Sequence, residues 1–323
     1  MKMTAAQTRR VAVSVATIII FALAIYALRL LLREARPADV FEQLSAVAWW
    51  RIAAAVAFTA GSYFMLTFFD YFAVLAAGHR ISYPRTAEAA LAAYGIGHTA
   101  GVPSLSGGSV RYRYYTPEGL SALEVAGVVT MVSLNFLLGL CLVLGLGLIV
   151  DAGMATQVVP LSEPELHVLG IALLAFVGAY LALAYLKRTP VQMFGKSFLL
   201  PTPRLAMGQL VVSFFDLSFS AAALYILIPD GVGVGFPVFV GVYVVAMQAG
   251  LLSNVPGGLG VFESVLLLLL PGAPTDELLG ALVLYRLIYY ALPFLVALAV
   301  FMRREAISGD GPVRWLLRWL QRR

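Results

Sequence analysis

Charge is what this sequence has least of. Only 12% of its 323 residues are Asp, Glu, Lys or Arg, about half the share of a soluble globule, while 61% are hydrophobic and mean hydropathy is +0.90. An ordinary water-soluble domain is excluded, and a polytopic membrane protein is expected. Cysteine is nearly absent. Cys141 stands alone in an apolar run, which excludes a disulfide framework and a thiolate metal site. His79, His98 and His167 are far apart in sequence and give no zinc spacing. The patterns G-x-x-x-x-G-K-[ST], G-x-S-x-G and H-E-x-x-H are missing too. No cofactor, metal or nucleotide is therefore expected. The net charge of +5 comes mostly from Arg near the ends of apolar runs, which suits an anionic lipid surface and calls for no nucleic acid.

What is present is long apolar runs. Windows long enough to cross a bilayer cover Val11–Leu32, Trp49–Ala77, Leu123–Val150, Leu166–Leu186, Leu205–Ile228 and Glu277–Met302. Two more stretches are apolar but interrupted: Ala87–Leu105, and Phe236–Leu270 with its break at Pro256-Gly257-Gly258. Lys187, Arg188, Lys196 and Arg204 fill one loop, and Arg303, Arg304, Arg314, Arg318, Arg322 and Arg323 crowd the C-terminal end. The loops around Asp151, Asp230 and Asp276 carry no Lys or Arg. The positive-inside rule then places both termini in the cytoplasm, although Arg29, Arg33, Arg36 and Arg51 run against it.

An internal echo divides the chain. Phe68-Phe69-Asp70 returns as Phe214-Phe215-Asp216, and Val102-Pro103 with Gly107-Gly108 returns as Val255-Pro256-Gly257-Gly258. Residues 1–150 and 151–323 each read as span, span carrying Asp, broken hairpin, span. Three spans per half invert the second half. The expected fold is all-α: one transmembrane domain, 1–323, of six full spans plus two re-entrant broken hairpins in an inverted repeat.

Candidate site residues cluster at the breaks. In Ser253–Ser264 the run SNVPGGLGVFES holds Asn254, Gly257, Gly258 and Glu263. Non-helical backbone at membrane depth is tolerated only inside protein or beside water. The second half-helix, expected to start near Gly258, would present N–H groups and a positive dipole end to the interior. Glu263 reads either as a structural partner in a tight crossing or as a working carboxylate. In GGSVRYRYYTPEG (107–119), Arg111 and Arg113 alternate with Tyr112 and Tyr114 after Gly107-Gly108, which reads as a second break. Arg offers phosphate a planar fork, and Tyr favours the headgroup level. The competing reading is a positive-inside anchor with an aromatic belt. Asp70, Asp216 and Arg286 lie inside spans and need partners or protonation. Glu263, Asp70 and Asp216 are the candidates for Arg286; an aminoacylated lipid's amine is the other candidate for Glu263.

SNVPGGLGVFES (253–264), ALVLYRLIYYALP (281–293) and GGSVRYRYYTPEGLSALE (107–124) resemble one family. It is the transmembrane region of lysylphosphatidylglycerol synthase, also called multiple peptide resistance factor, with its stand-alone flippase-like relatives. The similarity runs over most of Phe68–Phe301. The resemblance implies a bacterial inner-membrane flippase for aminoacylated phosphatidylglycerol, giving resistance to cationic peptides. It places Arg111, Arg113, Glu263 and Arg286 in family motif blocks, and Asp70 and Asp216 in a weaker pattern of intramembrane acids. Bifunctional members add a cytoplasmic domain that moves an aminoacyl group from tRNA to lipid. This sequence ends shortly after its last span, so a stand-alone member and a piece of a longer protein are both open. The expected partner is an anionic or aminoacylated phospholipid; a cytoplasmic synthase and a second copy of the chain stay open. Rival readings are a membrane-embedded enzyme acting on lipid headgroups and an anchor for a synthase.

Overall fold

The computed structural model describes residues 47–100, 103–153, 155–157, 161–186, 191–193, 196–198, 201–228, 234–253, 255–270, 272 and 274–307. The expected first span Val11–Leu32, Asn254 and the arginines of the C-terminal tail beyond 307 lie outside them. The described chain is almost wholly helical. The long helices are α1 (Trp49–Ala76), α4 (Ala122–Val150), α5 (Glu163–Leu186) and α6 (Pro203–Tyr225). A composite helix over Thr275–Arg304 completes five, among the described residues, that are long and apolar enough to cross a membrane. Between them lie two pairs of shorter helices: α2 (Tyr83–Ala100) with α3 (Pro103–Tyr115), and α7 (Phe236–Leu252) with α8 (Val261–Leu269). An antiparallel pair, β1 (Val191–Met193) with β2 (Lys196–Phe198), supplies the strand among the described residues.

Helix ends follow local chemistry. Ser121 caps α4 in a capping box: its hydroxyl accepts from the Glu124 N–H, and Glu124 accepts from the Ser121 N–H at 2.8 Å. Thr202 caps α6, with Pro203 at its first position. Burial is the reverse of a soluble protein's. Val168, Ile171, Tyr185 and Leu186 of α5 and Leu268 of α8 point outward, while Asp70, Arg111, Asn135, Gln209, Asp216 and Arg286 are buried. Only a hydrocarbon surround lets such an exterior exist without association. The protein is a polytopic membrane protein.

The first interruption differs from its expected form. Gly107 and Gly108 do not break a helix; they lie inside α3, which begins at Pro103. Pro at a first helical position costs nothing because that N–H has no helical partner. Gly107 suits a close approach: a Cβ there would sit 3.1 Å from the Ala93 carbonyl oxygen and 3.1 Å from Arg111 Nη1, tighter than most side chains meet. The composite last helix is irregular just before Pro293. α9 (Thr275–Tyr285) passes into a π turn, Arg286–Ala291, and then α10 (Leu292–Ile307). Pro293 has no N–H to give the Tyr289 carbonyl. The Tyr63 hydroxyl donates to that carbonyl instead, at 3.4 Å.

One crossing brings two helices close at a glycine. A Cβ on Gly95 would stand 2.5 Å from Ala297 Cβ and 2.8 Å from the Pro293 oxygen, so α2 and α10 can meet only with glycine there. Gly95→Ala is expected to cost about 1–3 kcal/mol through overpacking. Gly147→Ala, where a Cβ meets nothing within 4 Å, should be neutral or slightly stabilising. Unfolding midpoints in detergent check this; equal midpoints would contradict the close crossing.

Candidate functional site

The ends of both interrupted segments face one chamber. A cavity of about 390 Å³ is lined by Gly97 and His98 of α2, Arg111 of α3, Gly257 and Gly258 of the second break, and Asp216 of α6. Phe69, Val129, Phe136 and Phe262 make much of the remaining wall apolar. The chamber thus joins apolar surface to a cation and an acid, all within the helical bundle.

Arg111 comes to the chamber already paired. It is 3% exposed, and Asp70, on α1, is 0% exposed. Arg111 Nε donates to Asp70 Oδ1 at 2.8 Å and Nη2 to Oδ2 at 2.7 Å, a two-pronged fork. Tyr115, one turn on from Arg111, adds its hydroxyl to Asp70 Oδ1 at 2.7 Å. The guanidinium lies 4.6 Å from the centre of the Tyr94 ring. Arg111 Nη1 makes no hydrogen bond to any described residue, and Arg111 borders the chamber. Tyr112 and Arg113 share α3, but neither is among the described residues that line it. Of the three candidate acids for Arg286, Asp70 is therefore taken by Arg111.

Arg286 takes Glu263. Its Nε and Nη2 donate to Glu263 Oε1 at 2.8 and 2.6 Å, and Nη1 donates to the Gly257 carbonyl. Phe262 and Tyr290 place their rings 5.4 and 4.9 Å from the guanidinium carbon. The other Glu263 oxygen, Oε2, accepts from the Gly260 N–H at 2.9 Å, so this carboxylate caps α8 while closing the ion pair. The half-helix starts at Val261, later than Gly258. Gly257, Gly258 and Gly260 have φ of +62°, +62° and +77°, a left-handed region closed to most side chains. Gly258 also packs against Gly250, where a Cβ would be 2.9 Å from that Cα. The Gly-Gly break thus serves the turn and the Arg286 clamp as well as the chamber wall. Glu263 and Arg286 stand behind that wall and are not among the described residues that line it.

Asp216 is the exception. It is 5% exposed and borders the chamber, and no basic side chain among the described residues bridges it. Ser62 Oγ donates to its Oδ1 at 2.6 Å, and Ser62 stands 2.9 Å from the Tyr289 hydroxyl. Ser62 and Tyr94 went unforeseen; neither stands in a motif or a spacing that marks it. His98, half-buried, has its ring 6.1 Å from Tyr63 and 5.6 Å from Tyr94.

An all-helical bundle with a charged chamber between two broken segments defines a membrane protein built around an intramembrane polar site. The chain belongs to the family described as Lysylphosphatidylglycerol synthase TM region, whose profile matches residues 11–297. It is 32% identical to the uncharacterized protein slr0712 of Synechocystis sp. over 79% of this chain and 80% of that one. It is 27% identical to the inner membrane protein YbhN of Escherichia coli over 78% and 79%. A 44% identical match of 92 residues to the phosphatidylglycerol lysyltransferase of Staphylococcus epidermidis covers 27% of this chain but only 11% of that enzyme.

Removing one partner of a fully buried pair strands the other charge, at a cost of about 3–5 kcal/mol. Arg111→Met and Asp70→Leu are each expected to lose that much, and the double variant to regain most of it. Unfolding midpoints in detergent, compared across the four proteins, test this. Additive losses would show that the pair is not coupled.

Proposed function

We propose that this protein moves phospholipid headgroups between the leaflets of a bacterial inner membrane through the chamber, with phosphatidylglycerol and its aminoacylated derivatives as the lipids. One observation carries the reading: a charged chamber lies between two helix breaks inside a bundle whose outside is apolar. A headgroup crossing hydrocarbon needs polar contacts, and broken helices around a central site are how membrane proteins supply them. Arg111 is the phosphate contact, because its Nη1 retains a donor after Asp70 takes Nε and Nη2. The apolar walls suit the upper parts of the acyl chains. Glu263 and Arg286 act by holding Gly257 and Gly258 in place rather than by touching lipid. The names of the lysyltransferase relatives and of the family support phosphatidylglycerol as the lipid, and YbhN's name supports the inner membrane. Moving a lysylated lipid outward would lower surface negative charge and so resist cationic peptides. Both termini would face the cytoplasm, with the two halves, 1–150 and 151–323, inverted about the chamber.

The test is leaflet exchange of fluorescent phosphatidylglycerol and lysylphosphatidylglycerol in proteoliposomes. Val129→Trp fills the chamber and is expected to bring exchange down to the protein-free rate. Val168→Trp, at a position on α5 that is 66% exposed, should leave it intact. Equal exchange in the two variants would overturn the reading.

A further inference from the structure

Of the three acids described above, Asp70 and Asp216 buried and Glu263 half-buried, two are closed by arginine and one is not. Asp70 is closed by Arg111 and Glu263 by Arg286, each with two donors on the carboxylate. Asp216 has a serine. Among the described residues, its surroundings hold no arginine or lysine in reserve. From α1 come Ser62, Tyr63 and Asp70; from α2, Tyr94 and His98; from α3, Arg111, whose charge Asp70 already balances. Tyr243 of α7 and Tyr285 of α9 bond each other at 2.6 Å, and the π turn brings Tyr289 and Tyr290. α4 offers only Val129, Val132, Ser133 and Phe136 to the chamber, and Tyr180 of α5 bonds Gln209. Phenols stay neutral near pH 7. The chamber therefore carries one uncompensated negative charge when Asp216 is ionised, and none when it is protonated.

A lone carboxylate inside a bilayer is costly, so it is neutralised. A proton can do this, and so can a cation that enters the chamber; both cannot occupy the carboxylate together. Resting on the lipid-translocating reading above, we propose that Asp216 is a proton-binding site at which a headgroup ammonium and a proton exchange, so that movement of a positively charged phospholipid is coupled to counter-movement of protons. In the exchange the Asp216 O–H bond breaks, the proton leaves to water on the side to which the chamber is open, and the ammonium takes its place as an ion pair. No other co-reactant is needed. The hydrogen-bonded series Asp216–Ser62–Tyr289 offers the proton a first stage, since each hydroxyl both donates and accepts.

The coupling has a direction that can be read. In proteoliposomes carrying a lumenal pH dye, an acid lumen should drive fluorescent lysylphosphatidylglycerol, net positive, into the inner leaflet beyond its equilibrium share, while the lumen becomes more alkaline. Fluorescent phosphatidylglycerol, net negative, should show no such drive, and an ionophore that collapses the gradient should abolish it. In Asp216→Asn the gradient-driven excess should vanish. The wild-type arms decide the matter even if that variant fails to fold. Exchange of lysylphosphatidylglycerol that ignores the gradient overturns the coupling while leaving translocation standing. A response kept in Asp216→Asn and lost in His98→Gln overturns Asp216 as the proton site. Absence of any lipid exchange in the wild type overturns the translocator reading and this proposal together.

Discussion

Charge inside hydrocarbon has to be answered, and this fold answers its buried arginines with one carboxylate each. Every such residue costs at least about 2.5–3.5 kcal/mol to place at a bilayer centre, and pairing recovers that cost without leaving a large surplus. The return is therefore in position. Arg111–Asp70 ties the first broken segment to α1, and Arg286–Glu263 ties the second to the last spanning helix. The arrangement is mirrored: in one pair the broken segment supplies the cation, and in the other it supplies the acid. Short helices such as α8, nine residues long, could not otherwise hold a fixed place in a bundle.

With the breaks pinned, irregular backbone becomes usable. The positive-φ glycines at 257, 258 and 260 turn the chain sharply; the Gly257 and Gly258 carbonyls accept from Arg286, and the Gly260 carbonyl accepts from the Ser264 N–H. Pro293 frees the Tyr289 carbonyl, and Tyr63 satisfies it. These carbonyls freed from the helix pattern each have a named partner, as buried backbone polar groups require. Among the described buried charges, the one without an ionic partner is Asp216, at the wall of the chamber. Unpaired intramembrane acid is expensive, and its place beside open space is where such a cost can serve transport.

Spans and breaks were legible in the sequence because hydrophobic length and Pro-Gly punctuation are local. Trp49–Ala77 was expected and Trp49–Ala76 is found; Leu123–Val150 is found as Ala122–Val150. The broken Phe236–Leu270 segment was legible for the same reason. Gly107-Gly108 misled, since a glycine pair reads equally as a break or as a close contact, and only the packing of Ala93 and Arg111 against it decides. Pairings were not legible. Asp70 and Arg111 are 41 positions apart, and nothing local distinguishes Asp70 from Asp216, which share a Phe-Phe-Asp setting yet end with an arginine and a serine. Ser62 and Tyr94 left no trace, because a polar residue on an apolar helix marks a site only once its neighbours are known.

The claim that a lipid headgroup occupies the chamber between the two breaks is tested most directly by an electron cryomicroscopy structure in nanodiscs containing phosphatidylglycerol and lysylphosphatidylglycerol. The account predicts headgroup density inside the chamber, with a phosphate oxygen in hydrogen-bond reach of Arg111 Nη1 and Arg286 still clamped on Gly257 and Glu263. Lipid confined to the outer faces of the bundle, with the chamber closed or filled by side chains, would contradict it.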